Sequence, residues 1–216
     1  MIKATLVNHM GSDLTPVNAA RISFNKEASE LKDSDKKLIK FLADHKHHTP
    51  FEHQMMTLII ECPLYIRSQI HRHRTFSYNE VSRRYTSEEI SFYVPETSDI
   101  RRQSKNNKQC SEGIINEKEA DQIIDLIEHS HRGSFSTYHE LLSRGVSREQ
   151  ARGVLPQNLM TKFYMTGNLR NWTHFIHLRN SDTAQKEVRD LTVQIQDIIK
   201  NLWPVTYEAL FSAFKN

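Results

Sequence analysis

The chain has 216 residues, 38% of them hydrophobic, 25% charged and 9% aromatic, with a net charge of +3 and a mean hydropathy of −0.62; this is a polar globular chain of about one domain's length with enough bulk for a core. It holds no run of about 18 apolar residues that would span a bilayer, and its opening stretch, MIKATLVNHMGSD, lacks the apolar segment of a secretion signal. Two cysteines, Cys62 and Cys110, build no disulfide framework, so a cytoplasmic setting is expected.

Residues 2–9 alternate loosely and read as an edge strand. Thr15-Pro16 opens a short helix through Ala19, Ala20 and Ile22, with proline in its first turn. Asp33-Ser34-Asp35 is an acidic helix start ahead of the apolar stripe Leu38, Ile39, Phe41 and Leu42. Residues 55–61, MMTLIIE, read as a mostly buried strand stopped by Pro63, which also suits the first turn of a helix over residues 64–73. Residues 88–95 read as a β-rich or irregular link, and 101–112 as an exposed, mobile loop because no apolar period runs through them. One long helix or two cover residues 117–142 and close at Gly145. Ser147-Arg148-Glu149-Gln150 matches a capping box for a short helix ending before Pro156. Residues 159–166 alternate as a strand, and Asn168 caps a helix through Trp172, Phe175, Ile176 and Leu178, whose two aromatics read as core. Residues 182–202 form the clearest helix, broken by Pro204 before an amphipathic turn over residues 207–214. The pattern is α+β: a helix-rich single domain over residues 1–216 around a small mixed or antiparallel sheet, its strands too few for a large parallel one.

Basic charge is unevenly spread. Residues 67–108 and 144–179 together carry +9, and the remainder of the chain −6. Arginine dominates both segments, and its planar fork suits bidentate contact with phosphate or carboxylate, although two solvated basic faces would have the same composition. Twelve histidines raise the question of a metal, but no HExxH or finger spacing occurs and adjacent His47 and His48 diverge, so no metal site is expected. The densest polar block runs Gln69-Ile70-His71-Arg72-His73-Arg74 and then Ser77-Tyr78-Asn79-Glu80-Val81-Ser82-Arg83-Arg84-Tyr85. On a helix, Gln69, Arg72 and His73 share adjoining surface.

Arg72-His73-Arg74, seven residues and then Ser82 resemble the signature of flavin-dependent thymidylate synthases, in the company of Gln69, Asn79, Glu80 and Arg84. Ala20-Arg21-Ile22-Ser23 and Thr49-Pro50-Phe51-Glu52-His53 resemble two amino-terminal segments of that family, while RGVLPQNL from Arg152, Asn168-Leu169-Arg170 and Leu178-Arg179 resemble carboxy-terminal ones. The resemblance implies a homotetramer with FAD held at subunit interfaces and no Rossmann fold, in keeping with the absence of GxGxxG. It implies reductive methylation of dUMP to dTMP, with methylenetetrahydrofolate as carbon donor and NADPH as reductant, and neither nucleic acid nor membrane as partner.

Carried over position by position, the resemblance puts Thr49, Arg72, His73, Arg74, Glu80, Asn168, Leu169, Arg170 and His174 against the flavin. It puts Gln69, Ile70, His71, Arg72, Glu80, Val81, Ser82, Arg83, Arg84, Arg152 and Arg179 against dUMP. His174 stands where some members carry Asn, and Thr183 where some carry His. Arg179 is the expected catalytic residue: a guanidinium beside the uracil N3–carbonyl edge stabilises the negative charge that makes ring carbon 5 nucleophilic. No cysteine nucleophile is required, and neither Cys62, in a buried strand, nor Cys110, in a loop, suits one. Two other readings stay open: a basic nucleic-acid-binding module, opposed by the low net charge and the lack of a known motif, and an inactive nucleotide- or flavin-binding relative serving as a scaffold.

Overall fold

The computed structural model describes residues 1–212, about half of the chain being helical with small antiparallel sheets. In chain order the elements are β1 (Lys3–Met10), α1 (Leu14–Arg21), α2 (Asp33–Asp44), β2 (Met55–Pro63), α3 (Leu64–Ile70), β3 (Ser77–Glu80), β4 (Arg101–Gln103), β5 (Ser111–Ile114), α4 (Glu117–Ser143), α5 (Arg148–Ala151), β6 (Met160–Asn168), α6 (Leu169–Arg179), α7 (Lys186–Leu202) and α8 (Pro204–Ser212). They fall into two compact units. A sheet unit contains Lys3–Ile60, His73–Asn79 and the chain from Tyr164 onward; a long-helix unit contains Met1–Ile2, Glu61–Arg72 and Glu80–Phe163.

The four-stranded sheet has the order β1-β2-β6-β3, with β1 at an edge as its loose alternation predicts. Met56, Leu58 and Ile60 of β2 are buried on one face while Thr57 and Ile59 are half-buried on the other, so the strand is covered on one side more than on both. Thr57 and Thr166 pair their hydroxyls across β2 and β6 at 2.9 Å. Val188, Leu191, Ile195 and Ile199 form the buried stripe of α7 at helical spacing. Trp172 and Phe175 of α6 are fully buried, each stabilising the fold by roughly 1.5–3 kcal/mol. Trp172 donates its indole N–H to Gly167 O at 3.1 Å, and Phe76 sets its ring edge-on to Trp172 at 4.7 Å. A Cβ on Gly167 would lie 2.5 Å from the Phe76 ring, so the glycine is what lets residues 75–76 approach β6.

Helix ends follow the expected chemistry with two exceptions. Asn168 Oδ1 accepts from Asn171 N at 3.0 Å and so caps α6, and Asp35 Oδ2 accepts from Lys32 N at 2.8 Å. The first amides of α8 are capped from far away by Asp13, which accepts from Thr206 N at 2.8 Å. Ser147 stands at the N-cap of α5 without a side-chain bond, so the capping box does not form. Helix α7 starts at Lys186 instead of residue 182 because Ala184 N turns back to Ser181 O. Phe214 of the terminal turn lies outside the described residues.

The long-helix unit is built on α4, one helix of 27 residues, capped by Asn116 and closed by Gly145 at φ +81°. Helix α3 ends at Ile70, three residues short of expectation. Residues 101–112 correct the sequence reading: β4 and β5 form an antiparallel ladder, with Arg102 opposite Glu112 and Gln103 opposite Ser111. The ladder needs no apolar period because polar side chains brace it, Gln103 Nε2 reaching Cys110 O at 3.0 Å and Ser104 Oγ reaching Glu112 at 2.8 Å.

Candidate functional site

The long-helix unit holds a cavity of ≈ 550 Å³, inside the range of roughly 300–1,000 Å³ typical of small-molecule sites. Of the residues expected against dUMP, Glu80, Val81, Ser82, Arg83 and Arg152 line it. Arg83 is largely committed to its own turn: Nη2 donates to Glu89 O at 3.1 Å and Nη1 to Glu88 O, and Glu89 sits in the left-handed region at φ 52°. The guanidinium thus pins the chain after Ser82, leaving the main chain at 82–84 to meet a ligand. Arg84 reaches Glu149, itself on the cavity wall, at 3.5 Å. Gln69, His71 and Arg72 are not among the lining residues. Ile70 is fully buried, so only its main chain has anything to offer a ligand. His71 sets its ring edge-on to Phe163 at 4.9 Å, and burial, then Arg67, lower its pKa.

Arg67 and Thr161 also line this cavity and were not anticipated. Arg67 holds Glu80 in a two-pronged ion pair at 2.7 Å, and Thr161 donates to the same carboxylate at 2.7 Å. The signal for Arg67 was present: a lone charge among Leu64, Ile66 and Ile70 on a short helix demands a partner. Cys62, fully buried, is pushed up to about 12 by burial and then by Glu80, which makes it an inert thiol.

The sheet unit encloses a second cavity, ≈ 750 Å³ in volume. Arg170 and His174, expected against the flavin, line it. Lys46, His48, Asn171 and His177 join them against an apolar wall that includes Phe51 and Leu210. Arg170 pairs with Glu52, and Asn171 Nδ2 donates to Thr75 O at 3.0 Å. His48 is lowered by burial, then by Arg170 and Lys46, against an opposing pull from Glu52. Thr49 directly follows this histidine, whereas Arg74, Asn168 and Leu169 are not among the lining residues and Leu169 is fully buried.

Arg179 and His73 meet in the sheet unit. Arg179 Nε donates to His73 Nε2 at 2.9 Å, and Phe175 sets its ring edge-on to the imidazole at 4.8 Å. Burial first, then Arg179 and His174, lower His73 from 6.5 to about 4. The ring is therefore neutral, and its role as acceptor at Nε2 puts the proton on Nδ1. Tyr78 fixes the main chain at this point by donating its hydroxyl to His73 O at 2.9 Å.

Residues 5–205 match the family described as thymidylate synthase complementing protein. The chain belongs to that family. Among its relatives, the flavin-dependent thymidylate synthase of Thermosipho africanus is 40% identical over 204 residues, covering 94% of this chain and 88% of its own. The enzyme of the same name from Thermus thermophilus is 39% identical over 94% of this chain and 73% of its own. Among solved structures, the UMP/dUMP methylase PolB from Streptomyces cacaoi bound with 5-Br dUMP gives a TM-score of 0.87 at 33% identity, over 98% of this chain and 95% of that one. Its complex with 5-Br UMP gives 0.89 at 32% identity, over 99% and 95%.

Proposed function

We propose that this member of the thymidylate synthase complementing protein family methylates dUMP to dTMP, with methylenetetrahydrofolate as carbon donor, NADPH as reductant and FAD as cofactor. In this reading it works in the cytoplasm as a single domain over residues 1–216, assembled as a homotetramer with active sites at subunit interfaces. The observation that carries the reading is the fate of the signature: Ser82 stands with Glu80, Arg83 and Arg152 in one cavity wall, while His73 accepts a hydrogen bond from Arg179. One stretch of chain thus supplies both an anion-binding wall and the acceptor that orients a guanidinium.

The sheet-unit cavity has the chemistry a flavin needs. Arg170 and Lys46 suit a pyrophosphate, Asn171 and the histidines suit the polar edge of an isoalloxazine, and Phe51 and Leu210 suit its ring face. Thr49, Arg72, His73, Arg74, Glu80, Asn168, Leu169, Arg170 and His174 remain the proposed holding set. The chemistry FAD supplies when bound is the passage of electrons from NADPH to the one-carbon unit. The protein's own part is electrostatic. Ser82, Arg83, Arg84 and Arg152 hold the 5′-phosphate with hydroxyl, main-chain and guanidinium donors. Arg179 stabilises negative charge on the N3–carbonyl edge of uracil, and so lets ring carbon 5 attack carbon and later give up its hydrogen. Gln69, Ile70, His71 and Val81 complete the proposed dUMP set. No thiolate takes part, in keeping with the inert Cys62.

The purified protein is expected to be yellow, to oxidise NADPH faster when dUMP is added, and to form dTMP when methylenetetrahydrofolate is present. Its gene is expected to rescue thymidine auxotrophy in cells lacking thymidylate synthase. A colourless protein that takes up no FAD sinks the proposal, and binding of dUMP without dTMP formation would favour a scaffold. UMP belongs in the same assay, because PolB is a UMP/dUMP methylase solved with an analogue of each.

A further inference from the structure

Glu80 is gripped from two sides. Arg67 Nε lies 3.0 Å from Oε1 and 2.9 Å from Oε2, and Nη2 lies 2.7 Å from Oε2. Thr161 Oγ1 donates to Oε1 at 2.7 Å. The Arg67 and Glu80 side chains are 33% and 19% exposed, and all three residues line the cavity that also holds Ser82, Arg83 and Arg152. An ionised carboxylate accepts along about four lone-pair directions; the Nε–H is shared between both oxygens, so three donor hydrogens leave room for one more. Without Arg67, the carboxylate would be drawn towards the Arg152 guanidinium of the same wall, where it would cancel the charge an anion needs.

We propose that Arg67 is a positioning residue for nucleotide binding. It holds Glu80 in one orientation, ready to accept a hydrogen bond from a donor on the nucleotide, and keeps that carboxylate off Arg152. The inference rests on the reading of this cavity as the dUMP site. It differs from a direct role for Arg67 in one respect: the arginine acts through Glu80, so the two residues count once.

The test is calorimetric titration of the FAD-loaded protein with dUMP, using Arg67→Ala, Arg67→Lys, Glu80→Gln and the combination Arg67→Ala with Glu80→Gln. Flavin absorbance and the thermal midpoint are read for each. Arg67→Ala is expected to weaken dUMP binding by about ten-fold, the low end of the loss when one partner of a hydrogen-bonded charge pair is truncated, because this pair is only half-buried. Arg67→Lys, which keeps the charge but loses the fork, is expected to recover part of that loss. The double variant is expected to bind no more weakly than the worse single one. Losses that multiply in the double variant overturn the inference, as does Arg67→Ala binding dUMP like the parent. If Arg67→Ala does not fold, Arg67→Lys takes its place in the cycle and is held to the same two outcomes. A parent protein that binds no dUMP removes the functional reading itself, which is a different result from a parent that binds and a variant that matches it.

Discussion

The two units solve the problem of a polar cavity in opposite ways. In the long-helix unit, charges of opposite sign are already paired around the space: Arg67 with Glu80, and Arg84 with Glu149. Arg83 is likewise spent on the carbonyls of its own turn. In the sheet unit the wall is imidazole-rich and of mixed charge, with Asp44, Lys46, His48, His174, His177 and the Glu52-paired Arg170 set against Phe51 and Leu210. A wall of internally fixed pairs selects by direction, because each acceptor and donor is held before a ligand arrives. A wall of imidazoles and mixed charges beside apolar surface selects by shape as well, and suits a ligand that is part polar and part aromatic plane. The difference teaches that one residue type, arginine, serves within a single wall both as a rigid support, as Arg67 and Arg83 do, and as the group proposed to meet the ligand, as Arg152 does.

The largest effect that separates the two roles is expected at Arg179. Its Nε donates to the neutral imidazole of His73, a contact that sets no negative charge against the guanidinium. Arg179→Ala is expected to lower kcat for dTMP formation by about 10²–10³-fold or more, the scale of losing one oxyanion donor, with flavin absorbance and thermal midpoint retained. Turnover close to the parent's would assign charge stabilisation to another group.

These roles were unevenly legible in the sequence. The helix-rich α+β pattern, the edge strand, the Asn168 cap and the buried Trp172 and Phe175 all follow from local periodicity and capping, which a sequence carries directly. Strand β3 and the β4–β5 ladder escaped, because polar strands such as Ser77–Glu80 have no apolar alternation and depend on main-chain partners far along the chain. Glu80 and Arg170 were legible through segments that resemble the family, and Arg67 as a charge in need of a partner; that Arg67 takes Glu80 and Arg170 takes Glu52 was not, since a pairing is defined by contact and not by spacing. Likewise, nothing in the order of residues says that the Arg83 side chain turns back on its own loop.

A smaller, pH-dependent effect is expected from His73. When the protein unfolds, this imidazole takes up a proton near its ordinary 6.5, whereas in the fold burial, then Arg179 and His174, hold it to about 4. Between those values the unfolded chain binds more protons, so stability falls as pH falls from about 6.5 to about 4 and the contribution is whole above that window. His48, His71 and His131 are lowered in the same direction and share the trend. His73→Gln, which keeps an acceptor for Arg179 but cannot titrate, is expected to give a shallower fall of thermal midpoint with acid. A slope as steep as the parent's would show that His73 gains its proton on unfolding no more than in the fold.

The smallest effect on turnover is expected at the thiol that burial keeps protonated. Cys62 is fully buried and pushed up to about 12, so at neutral pH it is a thiol and not a nucleophile. Cys62→Ser with Cys110→Ser is expected to lower stability by about 1–3 kcal/mol, because a hydroxyl replaces a weakly polar group in the core. Its kcat, counted per bound flavin, is expected to stay within about two-fold of the parent's, a change worth less than about 0.5 kcal/mol in the barrier. Rapid-quench measurement of dTMP formation on flavin-loaded protein separates the two quantities. A well-folded double variant that formed no dTMP would bring sulfur back into the mechanism, and would move the start of the reaction from charge on the pyrimidine to a covalent bond.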